Sequence, residues 1–317
     1  LIAGADRGRI WRVKVRGAPK PSRIDLTKAS AKELAGYLAH PNLWWRETAQ
    51  RLLVERGDRS MAPLVSELCR RAPTPQGRLH ALYTLDGLGA LDAEAVRQAL
   101  GDSHFAVRMH ALVLAERWLD KQAGLLEKIL PLTDDPEPRV RLQLALTLGE
   151  SRDPRAVEAM GRLARRYGAD RWMQAAILSS AAESADRLLA GILHNPGGSG
   201  ESASLVHPLA SVVGARQDSQ QIAAVLHTLA ELRDDQARQL QVRCLQGLVE
   251  GLKRARREVM RSQTGQAALR RLLIHPSAEV QELALVVAGL VGLREAPEMK
   301  DALAAASRTA LDHARTL

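Results

Sequence analysis

HPNLWWRETAQRLLVERGD (residues 40–58), TPQGRLHALYTLDGLGALD (74–92), DSHFAVRMHALVLAERWLD (102–120) and DPEPRVRLQLALTLGESRD (135–153) can be set beneath one another. Each is a turn followed by an apolar run. An arginine stands near the start of each run, as Arg46, Arg78, Arg108 and Arg141, at intervals of 32, 30 and 33 residues. A period in this range, with no β-rich run inside it, is the mark of stacked helix pairs. A fifth copy, HPSAEVQELALVVAGLVGL, fills residues 275–293, and weaker copies begin near Asp170, Ser202 and Gln236.

Each unit reads as a first helix, a short turn and a second helix. Asp135-Pro136 and Asp153-Pro154 place a capping carboxylate before a proline at the first helical position, where the missing N–H costs nothing. Beyond Asp135, the residues Val140, Leu142, Leu144, Ala145, Leu146 and Leu148 cover more than one helix face. A helix apolar over so wide an arc is packed on two sides, as when each repeat is sandwiched between its neighbours. The count is eight helix pairs between about residue 30 and residue 293. A closing helix from Glu295 to about Arg315 mixes charge with alanine and suits a polar terminal cap.

The pattern resembles HEAT repeats in its Pro or Asp turn, in Val-Arg at the start of the second helix, and in the alanine four residues after that arginine. Arg141 with Ala145 keeps the spacing, whereas Arg108 is followed by Leu112. The expected fold is therefore all-α: a HEAT-type, right-handed α-solenoid over residues 30–317, preceded by a strand and linker over residues 1–29.

Composition agrees. Of 317 residues 46% are apolar, yet only five Trp, three Tyr and one Phe are present, so the core is built from Leu, Ala and Val, which favours helix over sheet. The longest near-apolar stretch, Leu283 to Leu293, is far short of the roughly 20 residues that span a bilayer. Cys69 and Cys244 lie in separate apolar patterns and are expected to be buried free thiols.

RIWRVKV, residues 9–15, alternates apolar and basic side chains as a strand does. One strand cannot stand alone in water. With a first residue that is not Met, it suggests the end of a longer polypeptide whose preceding domain is β-rich. GRIWRV (8–13) is similar to the closing strand of a β-propeller. The run from HPNLWWRETAQRLLVERGD through ALYTLDGLGAL (81–91) resembles the helical segment that follows it in the large secreted haem-binding proteins of planctomycetes, often labelled membrane-bound dehydrogenases. That resemblance implies a periplasmic or envelope setting, and a solenoid that positions a sugar-dehydrogenase-like propeller against a c-type cytochrome. It carries over no catalytic or haem-ligating residue, because this chain has no Cys-Xaa-Xaa-Cys-His and only one strand of a propeller.

Forty-five Lys and Arg against thirty-six Asp and Glu leave the chain at +9. The excess is local: residues 1–32 carry nine basic and two acidic side chains, residues 251–272 seven and one, and the rest is mildly acidic. A groove that follows a phosphate backbone is basic along its length, so nucleic acid is not an expected partner. A HEAT-type DNA glycosylase would also need aromatics near a catalytic acid, and aromatics are scarce.

No HExxH motif orders the nine histidines, and no metal or cofactor is expected. His40, His275, His194 and His207 lie near turn prolines and suit capping. The glycine-rich run from Asn195 to Ser204 lacks a phosphate-loop ending and reads as a connection between repeats. Asp86, inside an apolar helix, is expected to pair with an arginine such as Arg46 or Arg78. Trp44 and Trp45 are adjacent, so on a helix they point about 100° apart and one of them is left exposed. In KRARREVMR (253–261), Arg254 and Arg257 are the candidates for meeting an acidic protein surface or anionic lipid. The leading expectation is a non-catalytic scaffold that binds a protein or neighbouring domains. The alternative is part of a haem-linked oxidoreductase whose catalytic domains lie elsewhere.

Overall fold

A computed structural model describes residues 16–17, 24–122, 124–195, 201–232, 235–254, 262–293, 300–301, 303–304 and 306–308, with only the backbone described at 235–237. Among the described residues, sixteen α-helices between residues 31 and 290 form eight consecutive pairs. They are α1 (Ala31–Tyr37) with α2 (Leu43–Arg56), α3 (Ala62–Arg71) with α4 (Pro75–Gly87), α5 (Ala93–Ala99) with α6 (Phe105–Ala115), and α7 (Leu125–Ile129) with α8 (Pro138–Leu148). There follow α9 (Pro154–Tyr167) with α10 (Arg171–Ser180), α11 (Ala185–His194) with α12 (Ala203–Arg216), α13 (Ser219–Glu231) with α14 (Asp235–Arg254), and α15 (Gln263–Leu273) with α16 (Ala278–Leu290). The strand expected at residues 9–15 lies outside the described residues, as do residues 18–23 of the linker. Leu26, inside that linker, is buried against the first repeat, and Arg56 holds the carbonyls of Thr27 and Ala29 there.

The pairs stack as an α-solenoid. Each second helix packs on the second helix of the next repeat, from α2 on α4 to α14 on α16, and the first helices form a parallel row. The closest backbone approaches fall in the second-helix row. A Cβ added to Gly247 would stand 2.1 Å from the His207 carbonyl oxygen, and one on Gly251 would stand 2.1 Å from that of Ser211. Within this second-helix, or inner, row α12 and α14 are therefore in backbone contact.

The core is a ribbon of small and aliphatic side chains. One cluster runs from Leu26 to Leu85 and the other from Leu82 to Ala306, with Cys69 and Leu91 packed against both. At about 1.5–3 kcal/mol per buried Leu, Val or Ile, this ribbon is the main support of a fold whose repeats cannot cover their apolar faces alone. Leu303 and Ala306 join it, so the described part of the closing helix packs against the last repeat.

Two local expectations need correction. Asp135 does not cap α8, because a second proline, Pro138, takes the first helical position, and Glu137 stands at the cap without a side-chain bond. Asp153 does cap α9, accepting from the Arg155 N–H at 2.9 Å. Leu146, expected in the core, is instead exposed, since α8 is sandwiched on two sides only and Leu146 faces out of the second-helix row.

Candidate interaction surface

The periodic arginines are fixed at the turns. Arg46, Arg78, Arg108 and Arg141 each donate from Nη1 to the carbonyl six residues earlier, those of His40, Ala72, Asp102 and Asp135, at 2.5–2.9 Å. Gln174 and Gln281 make the same bond with Nε2, to Gly168 and His275. Two arginines also reach forward into the next repeat. Arg78 donates Nε and Nη2 to the Asp102 carboxylate at 2.6 and 2.8 Å, and Arg108 does the same to Asp135 at 2.7 and 2.8 Å. Charge-assisted, two-point pairs of this kind fix orientation as well as distance.

Arg46 and Arg141 lack that partner. Where Asp102 and Asp135 stand, the next repeats carry Ala72 and Gly168, and the Nε atoms of both arginines are buried without a hydrogen bond. Arg141 takes the Tyr167 ring instead, with its guanidinium carbon 4.2 Å from the ring centroid.

Polar side chains also bridge neighbouring repeats along the second-helix row. His80 donates from Nδ1 to Gln50 Oε1 at 2.6 Å, and the Tyr83 hydroxyl is bonded to Nδ1 of His110 at 2.8 Å. Gln143 and Thr147 both donate to Glu116. Burial, followed by the nearby Arg46 charge, holds His80 below its ordinary pKa against the pull of Glu47, and burial does the same to His110. Both rings are therefore neutral near pH 7. Asp86 is paired, as expected, but with Arg117 of the next repeat at 2.6 Å, because Arg46 and Arg78 are held at the turns.

Between these bridges the inner row exposes apolar side chains, with Trp44 67%, Trp172 61%, Val113 39% and Leu146 38% accessible. Trp44 and Trp172 occupy equivalent places, two residues before Arg46 and Gln174. Trp45 is half-buried against the first core cluster. Arg254 closes α14, exposed and paired with Glu250. Arg257 lies outside the described residues.

His40 and His275, expected to cap, instead accept the N–H of the cap residues themselves, Asn42 and Ser277, and so brace the turn before α2 and α16. His104 is the residue that caps, accepting the Ala106 N–H at the start of α6, which its place before Phe105 did not suggest. His194 and His207 do not cap: the first bonds the Ala190 carbonyl and the second faces Glu250 within α12. Among the described residues no group of three His, Cys, Asp or Glu side chains is placed to hold a metal ion. Cys69 and Cys244 are free, and burial raises the Cys69 thiol to about 12 and the Cys244 thiol further. No described helix is long and apolar enough to cross a membrane.

Residues 93–182 match the family model described as HEAT repeats, a span that holds the three pairs from α5 to α10. HEAT repeats generally form non-catalytic scaffolds for protein interactions. No curated protein matches the chain. A crystal structure of an engineered protein overlays on it at 15% identity, covering 87% of this chain and 82% of that one with a TM-score of 0.33, too low to bear on the fold.

Proposed function

We propose that the chain is a non-catalytic scaffold whose second-helix row receives a protein partner or a neighbouring domain. One observation carries this: from α2 to α8 bonds between repeats occupy Gln50, His80, Tyr83, His110, Glu116 and Thr147 of the inner row, while Trp44, Val113 and Leu146 stay exposed among them. Such a surface is preorganised, and large apolar side chains set in a polar surround are what protein interfaces use as anchors. The same bonds occupy His80, His110 and Glu116, the titratable groups of this stretch that burial shifts. Photo-crosslinking residues placed at Val113 and Leu146 should capture a defined partner in the native cells, whereas one at Glu67, on α3 of the first-helix row, should not. Equal capture from both rows would remove the proposal.

The similarity of residues 8–13 and 40–91 to the secreted haem-binding proteins supports a more specific version, in which the solenoid spaces two redox domains in the cell envelope. A full reading frame with a Cys-Xaa-Xaa-Cys-His beyond Leu317 is its expected outcome. A frame lacking any redox domain would overturn this version and leave the scaffold intact.

A further inference from the structure

On the opposite row, a cavity of about 430 Å³ opens between α9 and α11. Its floor is Val157, Gly161, Leu188 and Gly191. Its rim is Arg162, Arg165 and Arg187, with one acid, Glu158.

The charge here is unbalanced. Neighbouring steps of the stack match their cations to acids: Arg155 to Glu127 and Asp153 at 3.1 and 2.8 Å, Arg166 to Asp134 at 2.6 Å, and Arg216 to Glu183 at 2.9 Å. Arg162, Arg165 and Arg187 have no ion-pair or hydrogen-bond partner among the described residues. Like charges gathered around an apolar floor repel one another and raise the local concentration of an anionic ligand.

The floor is also kept open. Glycine inside a helix is unfavourable relative to alanine, and on the inner row Gly214, Gly247 and Gly251 are explained by neighbouring backbone and Gly87 by the Val54 side chain. Gly191 is not, since a Cβ there would meet nothing within 4 Å. At Gly161 a Cβ would meet only the Arg165 guanidinium at 3.3 Å and Leu188 at 3.8 Å. Gly191 thus leaves room that no part of the described chain fills, whereas the Arg165 guanidinium lies over Gly161.

We propose that this groove docks an acidic segment of a partner protein. A large apolar side chain of that segment sits over Gly191, and its flanking carboxylates meet Arg162, Arg165 and Arg187. Arginine forks suit carboxylates in this role, because they bind in two points and are weakly hydrated. The groove is separate from the second-helix row, so its failure leaves the scaffold proposal standing.

The probe is a short fluorescein-labelled peptide with a Leu-Phe pair flanked on both sides by Asp and Glu, titrated with the full chain at low salt. Saturable binding below about 1 mM is expected, the weak end of specific recognition. Charge reversal by Arg162→Glu with Arg187→Glu should weaken it by about tenfold or more. Gly191→Leu should weaken it comparably without changing any charge, and it adds a better helix former at an open position, so the fold is kept; circular dichroism checks both variants. A control peptide with Lys in place of its acids should not bind. No saturation by 1 mM, equal binding by the Lys peptide, or indifference to Gly191→Leu would each overturn the proposal. Displacement of the peptide by dodecanoate at lower concentration would assign the groove to a lipid anion instead and overturn it as well.

Discussion

Arg108 grips Asp135 across a repeat boundary with two parallel hydrogen bonds, while its Nη1 holds the Asp102 and Ser103 carbonyls of its own turn. The Asp135 side chain is 3% exposed and that of Arg108 12%, so neither charge can fall back on water. Removing one partner of such a pair strands the other, at about 3 kcal/mol or more. Asp135→Ala and Arg108→Leu should each destabilise by about that much, and the double variant by clearly less than their sum. Urea unfolding of the four proteins tests this. Additive losses would show that the two residues act independently.

Ala72 stands where Asp102 and Asp135 stand in the following repeats, and its backbone (φ −56°, ψ 131°) matches that of Asp135 (φ −57°, ψ 134°). An aspartate there would aim its carboxylate at the buried, unpartnered Nε of Arg46 and accept the Thr74 N–H, as Asp135 accepts that of Glu137. Ala72→Asp should therefore stabilise the chain, by about 1–2 kcal/mol for hydrogen bonds to a charged group less the cost of burying the carboxylate. A lower midpoint in urea would count against the equivalence. Gly168 offers no such repair, because a Cβ there would lie 2.3 Å from the Ala164 carbonyl oxygen.

Acid should destabilise the stack in two stages. His80, His110 and His275 are held below the ordinary histidine value, the first two as described above and His275 by burial and then the Arg238 charge. Between the folded and unfolded pKa values the unfolded chain binds more protons, so their contribution is complete above about pH 6.5 and is lost as pH falls through it. For Asp102 and Asp135 burial pushes upward, but the arginine bonds and the capped N–H groups leave both carboxylates lowered. Their contribution is complete above the unfolded value of about 4 and fails only as pH drops through the folded pKa. Urea midpoints from pH 8 to pH 3 should show both losses, and His80→Gln with His110→Gln should reduce the first. A flat profile between pH 7.5 and 5.5 in the parent chain would refute this assignment.

The repeat was legible because its anchor is chemical: an arginine that must reach a carbonyl six residues back can stand at only one place in each unit. Gln174 and Gln281 make that bond with a different side chain, so a search for arginine alone passes over them. The exposure of Leu146 and the displaced cap at Asp135 depend on which sides of α8 are covered and on the second proline, facts of packing that an apolar pattern does not carry. Asp86 announced a partner without naming it, since Arg117 comes from the adjoining repeat. The groove between α9 and α11 was invisible in sequence, where Arg162, Arg165 and Arg187 look like ordinary surface charge until two turns of the stack bring them around one floor.

Glycine to alanine should change sign between the two rows. At Gly251 the added Cβ would stand 2.1 Å from the Ser211 carbonyl oxygen and 2.7 Å from the Ala215 nitrogen, both backbone atoms of α12 that cannot turn aside. The helices must then separate, an overpacking cost of about 1–3 kcal/mol or more, which outweighs the roughly 1 kcal/mol that alanine gains as a helix former. At Gly191 the new methyl meets nothing within 4 Å, and only the gain remains. Gly251→Ala should lower the urea midpoint and Gly191→Ala should raise it. If both raise it, α12 and α14 are not in backbone contact.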